Sequence, residues 1–167
     1  ASEGINLGIF RAAVVVQMTW PGAPTIYYGD EAGVCGWTDP DNRRTYPWGH
    51  EDKQMLQFHK EAIRIHKSST ALRTGSYKML YTAWGILGYG RFDKNERYAV
   101  IVNNTQETVN VAVPVWQIGV ADGSRMEQQL MSVAESFTKV PDIYVVTDGY
   151  LMVAMPRTSA VILKDIG

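Results

Sequence analysis

The sequence predicts an α/β segment followed by an all-β segment, and three patterns carry that expectation. Residues 5–20 are apolar at helical spacing and stop at Pro21-Gly22, after which 23–28 reads as a short buried strand. Residues 51–67 alternate apolar and polar faces with a period near 3.6. From Gly75 onward the period drops to two and turn residues recur at short intervals. The change of period divides the chain into two expected units, 1–74 and 75–167.

In the first unit, Ile9, Ala13, Val16 and Trp20 fall at i, i+4, i+7 and i+11 and predict a buried helical stripe. Val14, Val15 and Val16 weaken the helix through lost rotamer freedom, but the length favours helix over strand. Residues 23–28 show no clean alternation, which suits a strand covered on both faces in a parallel sheet. In 51–67, Met55, His59, Ala62, Ile63 and His66 line one face, with Lys53, Gln57, Lys60, Glu61 and Arg64 largely opposite. Glu51 and Asp52 open this helix and Lys67 closes it, as the helix dipole favours.

In the second unit, Val109, Val111, Val113 and Val115 alternate with polar or small residues, and Tyr98, Val100 and Val102 oppose Ala99, Ile101 and Asn103. Further strands are expected at 76–82, 86–92, 124–133, 143–147, 150–155 and 159–164, separated by turns at Asp93-Lys94-Asn95, Asn103-Asn104 and Asp148-Gly149. Many short strands with such turns predict an antiparallel sandwich. This unit can enclose a core, whereas one strand and two helices cannot, so 1–74 is expected to be the end of something larger.

Lys and Arg number 16 against 17 Asp and Glu, a net charge of −1 with no block of one sign. Nucleic acid and anionic membrane surfaces are therefore not expected partners. No apolar run approaches the roughly 20 residues of a membrane-spanning helix. The opening residues lack the basic region of a signal peptide. Cys35 is the single cysteine, so an internal disulfide is excluded and the compartment, cytoplasmic or secreted, is unread.

The densest chemistry lies in 21–48. Gly22-x-Pro24-x-Ile26-Tyr27-Tyr28-Gly29-Asp30-Glu31 resembles the α-amylase family segment that forms the eighth and last barrel strand with its following turn. The Tyr-Tyr-Gly-Asp-Glu form is more similar to neopullulanases, cyclomaltodextrinases and maltogenic amylases than to the α-1,6-glucosidase branch. Asp39-Pro40-Asp41-Asn42-Arg43 is similar to the family's Asp-Pro-x-x-Arg loop, which contacts glucose units on the non-reducing side of the cleaved bond. Residues 100–104 (VIVNN) and the later TSAVIL look like its C-terminal sandwich.

This resemblance implies that 1–74 supplies the seventh helix, last strand and last helix of a (β/α)8 barrel, and that 75–167 is a C-terminal antiparallel β-sandwich. Active sites of such barrels sit at the carboxyl ends of the strands. The implied activity is retaining hydrolysis of α-1,4-glucosidic bonds in starch, maltooligosaccharides or cyclodextrins, with no cofactor. The family's catalytic carboxylates would precede Ala1, so no catalytic residue is expected in this chain and the chain alone is expected to be inactive. The implied partners are an α-glucan and the preceding part of the barrel. Without the latter, surfaces before Gly75 are expected to self-associate. Two alternatives remain open: a non-catalytic relative of the transporter heavy-chain type, and a stand-alone carbohydrate-binding sandwich using Trp84 and Trp116.

Asp30 and Glu31 do not qualify as a catalytic pair. A retaining glycosidase needs carboxyl groups about 5–5.5 Å apart, and adjacent residues on an extended backbone point to opposite sides. They are expected to accept hydrogen bonds near the strand end. Asp39 and Arg43 have the chemistry to hydrogen-bond vicinal sugar hydroxyls as acceptor and multiple donor, or to pair with each other and stiffen the loop, and both can hold together. Trp37, Tyr46 and Trp48 offer rings that stack on a sugar or merely pack, with Trp37 the best placed. Tyr28, at the strand end, faces either the cleft or its neighbours. His59 and His66 are seven apart with no further ligand at metal spacing, so no metal site is expected and they read as buried helix-face residues. Cys35 has no evident activating base.

Overall fold

The structure, a computed structural model, describes residues 6–167. The start of the first expected helix, at Ile5, lies outside them. Helix α1 spans Leu7–Thr19, and the Asn6 side chain caps it by accepting from the backbone N–H of Gly8 at 3.0 Å and Ile9 at 3.1 Å. Its buried face is Arg11, Ala12, Val15, Met18 and Thr19. The expected stripe is turned the other way: Ile9 is 42% and Trp20 39% exposed, and Ala13 is exposed too. This helix is apolar nearly all round, so spacing alone offers two candidate faces. The sheet, invisible to that reasoning, selects the second.

Residues 23–27 form no strand. A strand exists only as a member of a ladder, and no strand among the described residues lies beside this segment. Asp30–Ala32 then makes a 3-10 turn. Helix α2 spans Lys53–Ser68, with the Asp52 carboxylate accepting from Met55 N–H at 3.0 Å as its cap. It buries Met55, Phe58, His59, Ala62 and Ile65, adding two residues to the expected face, while Ile63 and His66 are only partly covered. A short helix, α3 at Thr70–Thr74, follows directly.

The rest is antiparallel sheet: β1 (Ser76–Ala83), β2 (Ile86–Phe92), β3 (Arg97–Asn103), β4 (Val109–Val113), β5 (Arg125–Ser132), β6 (Phe137–Thr138), β7 (Ile143–Thr147), β8 (Tyr150–Met155) and β9 (Ser159–Asp165). Pro114 ends β4 before Val115, and Val115–Ile118 turns instead into a 3-10 helix. The strands follow one path, β1-β2-β3-β9-β5-β7-β8-β4, with β6 paired to β5. Strand β7 turns the corner: residues 143–145 pair with β5, and Val146 and Thr147 pair with β8. The β7–β8 hairpin closes on Asp148 at φ 54° and Gly149 at φ 79°, the left-handed pair that a two-residue turn demands.

Because the sheet folds back, its central strands are buried on both faces. Tyr98, Val100, Val102, Ala160 and Ile162 pack under α1, α2 and α3. Ala99, Ile101, Val161 and Leu163 pack instead against Val111, Val113, Leu151 and Val153 of β4 and β8. The helices are thereby seated on the outer face of a nearly closed sheet, and the loop of residues 27–48 projects from their edge.

Candidate functional site

Residues 27–48, which include the 3-10 turn, form a largely exposed loop ahead of α2. Its base is tied down by Asp52 N–H donating to the Ala32 carbonyl at 2.9 Å and Val34 N–H to the Gly29 carbonyl at 2.9 Å. The loop doubles back so tightly that a Cβ on Gly36 would stand 2.6 Å from the Asn42 Cα, which only glycine avoids. At the return, Asp41 N–H donates to Thr38 carbonyl at 2.9 Å and Arg43 N–H to Pro40 carbonyl at 3.0 Å.

Two carboxylate–guanidinium pairs hang on this turn. Arg43 donates from Nε to Asp39 Oδ1 and from Nη2 to Asp39 Oδ2, both at 2.6 Å. Both side chains remain largely in solvent, at 63% and 59% exposure, so neither is committed to the core. The bond to Asp39 raises the Arg43 pKa further above its ordinary value. Arg44 grips Asp41 in the same two-pronged way, Nε to Oδ1 at 2.9 Å and Nη2 to Oδ2 at 2.8 Å. Hydrogen bonds from Arg44, then from the Trp37 N–H, hold the Asp41 carboxyl below the usual carboxylate range.

The aromatic residues are presented rather than packed away. Trp37 is 78% exposed, and its N–H donates to Asp41 Oδ2 at 2.9 Å. Tyr28 is 46% exposed and its hydroxyl donates to the Arg44 carbonyl at 2.9 Å. Tyr27 lies with its ring 5.0 Å from that of Tyr28, and Tyr46 4.5 Å from Trp48. All four residues singled out from the sequence, Tyr28, Trp37, Asp39 and Arg43, therefore belong to one hydrogen-bonded loop. Sequence reasoning missed the pairing of Asp41, inside the motif, with Arg44, the residue just after it, whose signal was their i, i+3 spacing.

Asp30 and Glu31 are not on an extended backbone as expected. They sit in the 3-10 turn, where Glu31 Oε2 folds back to accept from Gly29 N–H at 3.1 Å. Asp30 lines a cleft of about 360 Å³ with Phe10, Cys35, His50, Glu51 and Asp52, and burial pushes its carboxyl up. The histidines serve the scaffold: Nδ1 of His59 donates to the Met55 carbonyl at 3.0 Å and Nδ1 of His66 to that of Met18 at 2.8 Å. Among the described residues, no group of three or more His, Cys, Asp or Glu is placed to hold a metal ion. No helix among them is long and apolar enough to cross a membrane. On the sheet, Trp84 is 96% exposed at the tip of the β1–β2 hairpin and Trp116 is 56% exposed.

No protein-family profile matches the chain. An amylopullulanase of Thermoanaerobacter thermohydrosulfuricus is 31% identical over an alignment covering 100% of this chain and 11% of the relative. Neopullulanase 2 of Thermoactinomyces vulgaris is 34% identical over 71% of this chain and 21% of its own length. The chain thus spans only a small fraction of the curated relatives that it matches. Among solved structures, the α-amylase of Geobacillus thermoleovorans in complex with acarbose superposes with a TM-score of 0.83 at 23% identity, over 98% of this chain and 34% of that one. At that identity the likeness establishes the fold.

Proposed function

Because the chain belongs to the α-amylase family of glycoside hydrolases, we propose that it is the C-terminal part of a retaining α-glucan hydrolase acting on α-1,4-glucosidic bonds of maltooligosaccharides, starch or cyclodextrins. In this reading, 1–74 completes a (β/α)8 barrel and 75–167 is the supporting sandwich domain. Residues 23–28 become a strand when preceding barrel strands supply the ladder. The catalytic carboxylates lie elsewhere in the parent protein. This part contributes outer sugar contacts.

The observation that carries the proposal is the solvent-held Asp39–Arg43 pair beside Trp37 and Tyr28. A guanidinium has five N–H donors, and Asp39 occupies two of the Arg43 set. The others, with the remaining lone pairs of Asp39, suit adjacent hydroxyls of a glucose ring. Trp37 offers a flat apolar face for the ring itself. The internal ion pair and the sugar contact are thus compatible, since the pair presets the geometry that the sugar meets.

Titration of maltotetraose into the chain, followed by NMR, tests this. Shifts should concentrate on residues 27–48, and Arg43→Ala or Asp39→Ala should weaken the binding about tenfold, the loss expected for one charged hydrogen bond. Shifts confined to Trp84 would instead favour the second reading, a glucan-binding surface on the sandwich, which the full exposure of that side chain supports. No shift anywhere rejects both.

A further inference from the structure

We infer that Asp41 and Arg44 are positioning residues of the sugar-binding loop, fixing Trp37 and Tyr28 without touching the sugar themselves. The inference rests on the sugar-binding role proposed above. Asp39 turns both of its carboxylate oxygens to one partner, Arg43. Asp41 is used differently. Its Oδ1 accepts from Arg44 Nε at 2.9 Å, and its Oδ2 accepts both Arg44 Nη2 at 2.8 Å and the Trp37 backbone N–H at 2.9 Å. The Arg44 backbone carbonyl in turn accepts the Tyr28 hydroxyl at 2.9 Å.

The two aromatics lie far apart along the loop, and one ion pair joins them. Tyr28 lies just ahead of the 3-10 turn, and Trp37 follows Gly36 on the doubled-back arm that packs tightly against Asn42. Neither aromatic is placed by core packing, since both are exposed. A loop arm left mobile would have to be ordered when the ligand arrives, and that entropy subtracts from affinity. A two-pronged Asp–Arg bond has a fixed plane, so it sets direction as well as distance. Lysine at position 44 would keep the charge and lose the plane. Both pairs on the turn are two-pronged, but only Asp41 and Arg44 also bond the aromatic residues, through Asp41 Oδ2 and the Arg44 carbonyl, which assigns the sugar contact to Asp39 and Arg43.

The test uses the full chain, ¹⁵N-labelled, with two readouts: hydrogen exchange of the Trp37 amide and the affinity for maltotetraose. In Asp41→Ala, Trp37 exchange should accelerate and the sugar affinity should fall, each roughly tenfold for a lost charge-assisted bond. Amides in β3 should be unaffected. Asp41→Asn keeps an acceptor for Trp37 but not the two-pronged bond to Arg44, so exchange should be largely rescued while affinity is only partly restored. Unchanged Trp37 exchange in Asp41→Ala overturns the inference. So does faster exchange with unchanged affinity, which would make the pair a loop brace alone. If Asp41→Ala also loosens β3, the Asp41→Asn comparison decides by the same criteria. A chain that gives no sugar-dependent shift overturns the sugar-binding role itself, and the exchange data then report separately on the brace.

Discussion

Arg91 donates from Nη1 to the carbonyl oxygen of Thr19 at 2.6 Å, laying a buried guanidinium from strand β2 against the end of helix α1. The same side chain reaches the carbonyls of Gly75 at 3.1 Å and Ser76 at 3.3 Å, where helix gives way to sheet. Thr19 is caught from a second side by Tyr89, hydroxyl to hydroxyl at 2.6 Å. Arg11 reciprocates from the helix, donating to the carbonyls of Val133 and Ala134 at 3.1 and 2.9 Å. The helical part and the sheet are therefore joined by buried polar bonds as well as by a common apolar layer.

Arg91→Ala removes one end of this clamp and takes a donor from three carbonyls, of which that of Thr19 is in a buried bond. Leaving that buried acceptor unpaired makes the loss about 1–3 kcal/mol. Urea unfolding should show it in the midpoint, with the slope unchanged. A change under 0.5 kcal/mol, the ordinary size of a surface substitution, would mean that the bonds are replaced by water at no cost.

The pattern of successes in the sequence follows from what each signal depends on. Strands in hairpins were legible because alternation and turn chemistry are local: 86–92, 143–147 and 150–155 match their observed bounds. Opposed sets in β3 were legible too, although the two faces bury two different cores. The face of α1 was not, because an all-apolar helix is oriented by its partner. The ladder of 23–28 was not, because a strand is a property of two segments. In the loop, Asp39 and Arg43 were found through a motif, while the Asp41–Arg44 pair emerged only from geometry.

Asp30 should be a pH-dependent liability. Burial raises its folded-state pKa, partly offset by His59 and reinforced by Glu31. A carboxyl with a raised folded pKa favours folding when protonated, and that contribution is lost as pH rises through its folded value. Asp30→Asn should therefore gain stability relative to the parent at neutral pH, with the difference shrinking as pH falls below the carboxylate range. Paired thermal melts from acid to neutral pH check the trend. A difference that grows toward acid would mean that the charge is favourably paired.

The chain alone should turn over neither maltotriose nor cyclodextrin. Glu31 is spent on Gly29 N–H while Asp30 lines the cleft with Cys35 and Asp52, an arrangement unlike the two free carboxyl groups that a retaining glycosidase sets across one bond. Measurable release of glucose or maltose by the purified chain, abolished in Asp30→Asn or Glu31→Gln, is the contrary result.

The outward face of α1 should drive self-association. Ile9 and Ala13 are exposed beside a half-buried Val16 and a partly exposed Trp20, an apolar stripe that the sheet covers only in part. It continues into a groove of about 420 Å³ lined by Pro21, Ala23, Pro24 and Thr25. Residues 23–27 beside it carry backbone groups with no ladder, pinned back chiefly by Gln17 donating to the Thr25 carbonyl. An apolar patch continuous with open backbone is the combination that recruits another chain. Trp20 is a poor probe, since its ring also packs on Tyr77 at 4.8 Å and Tyr89 at 5.1 Å inside the fold. Ile9→Lys with Ala13→Glu is cleaner, because both side chains are exposed and both sites stay helical. Light scattering should show concentration-dependent association for the parent chain and its loss in the double variant, with unfolding midpoints within about 1 kcal/mol of each other. A parent chain that stays monomeric at high concentration sinks the idea. Association that survives the double variant would move the interface to the sheet.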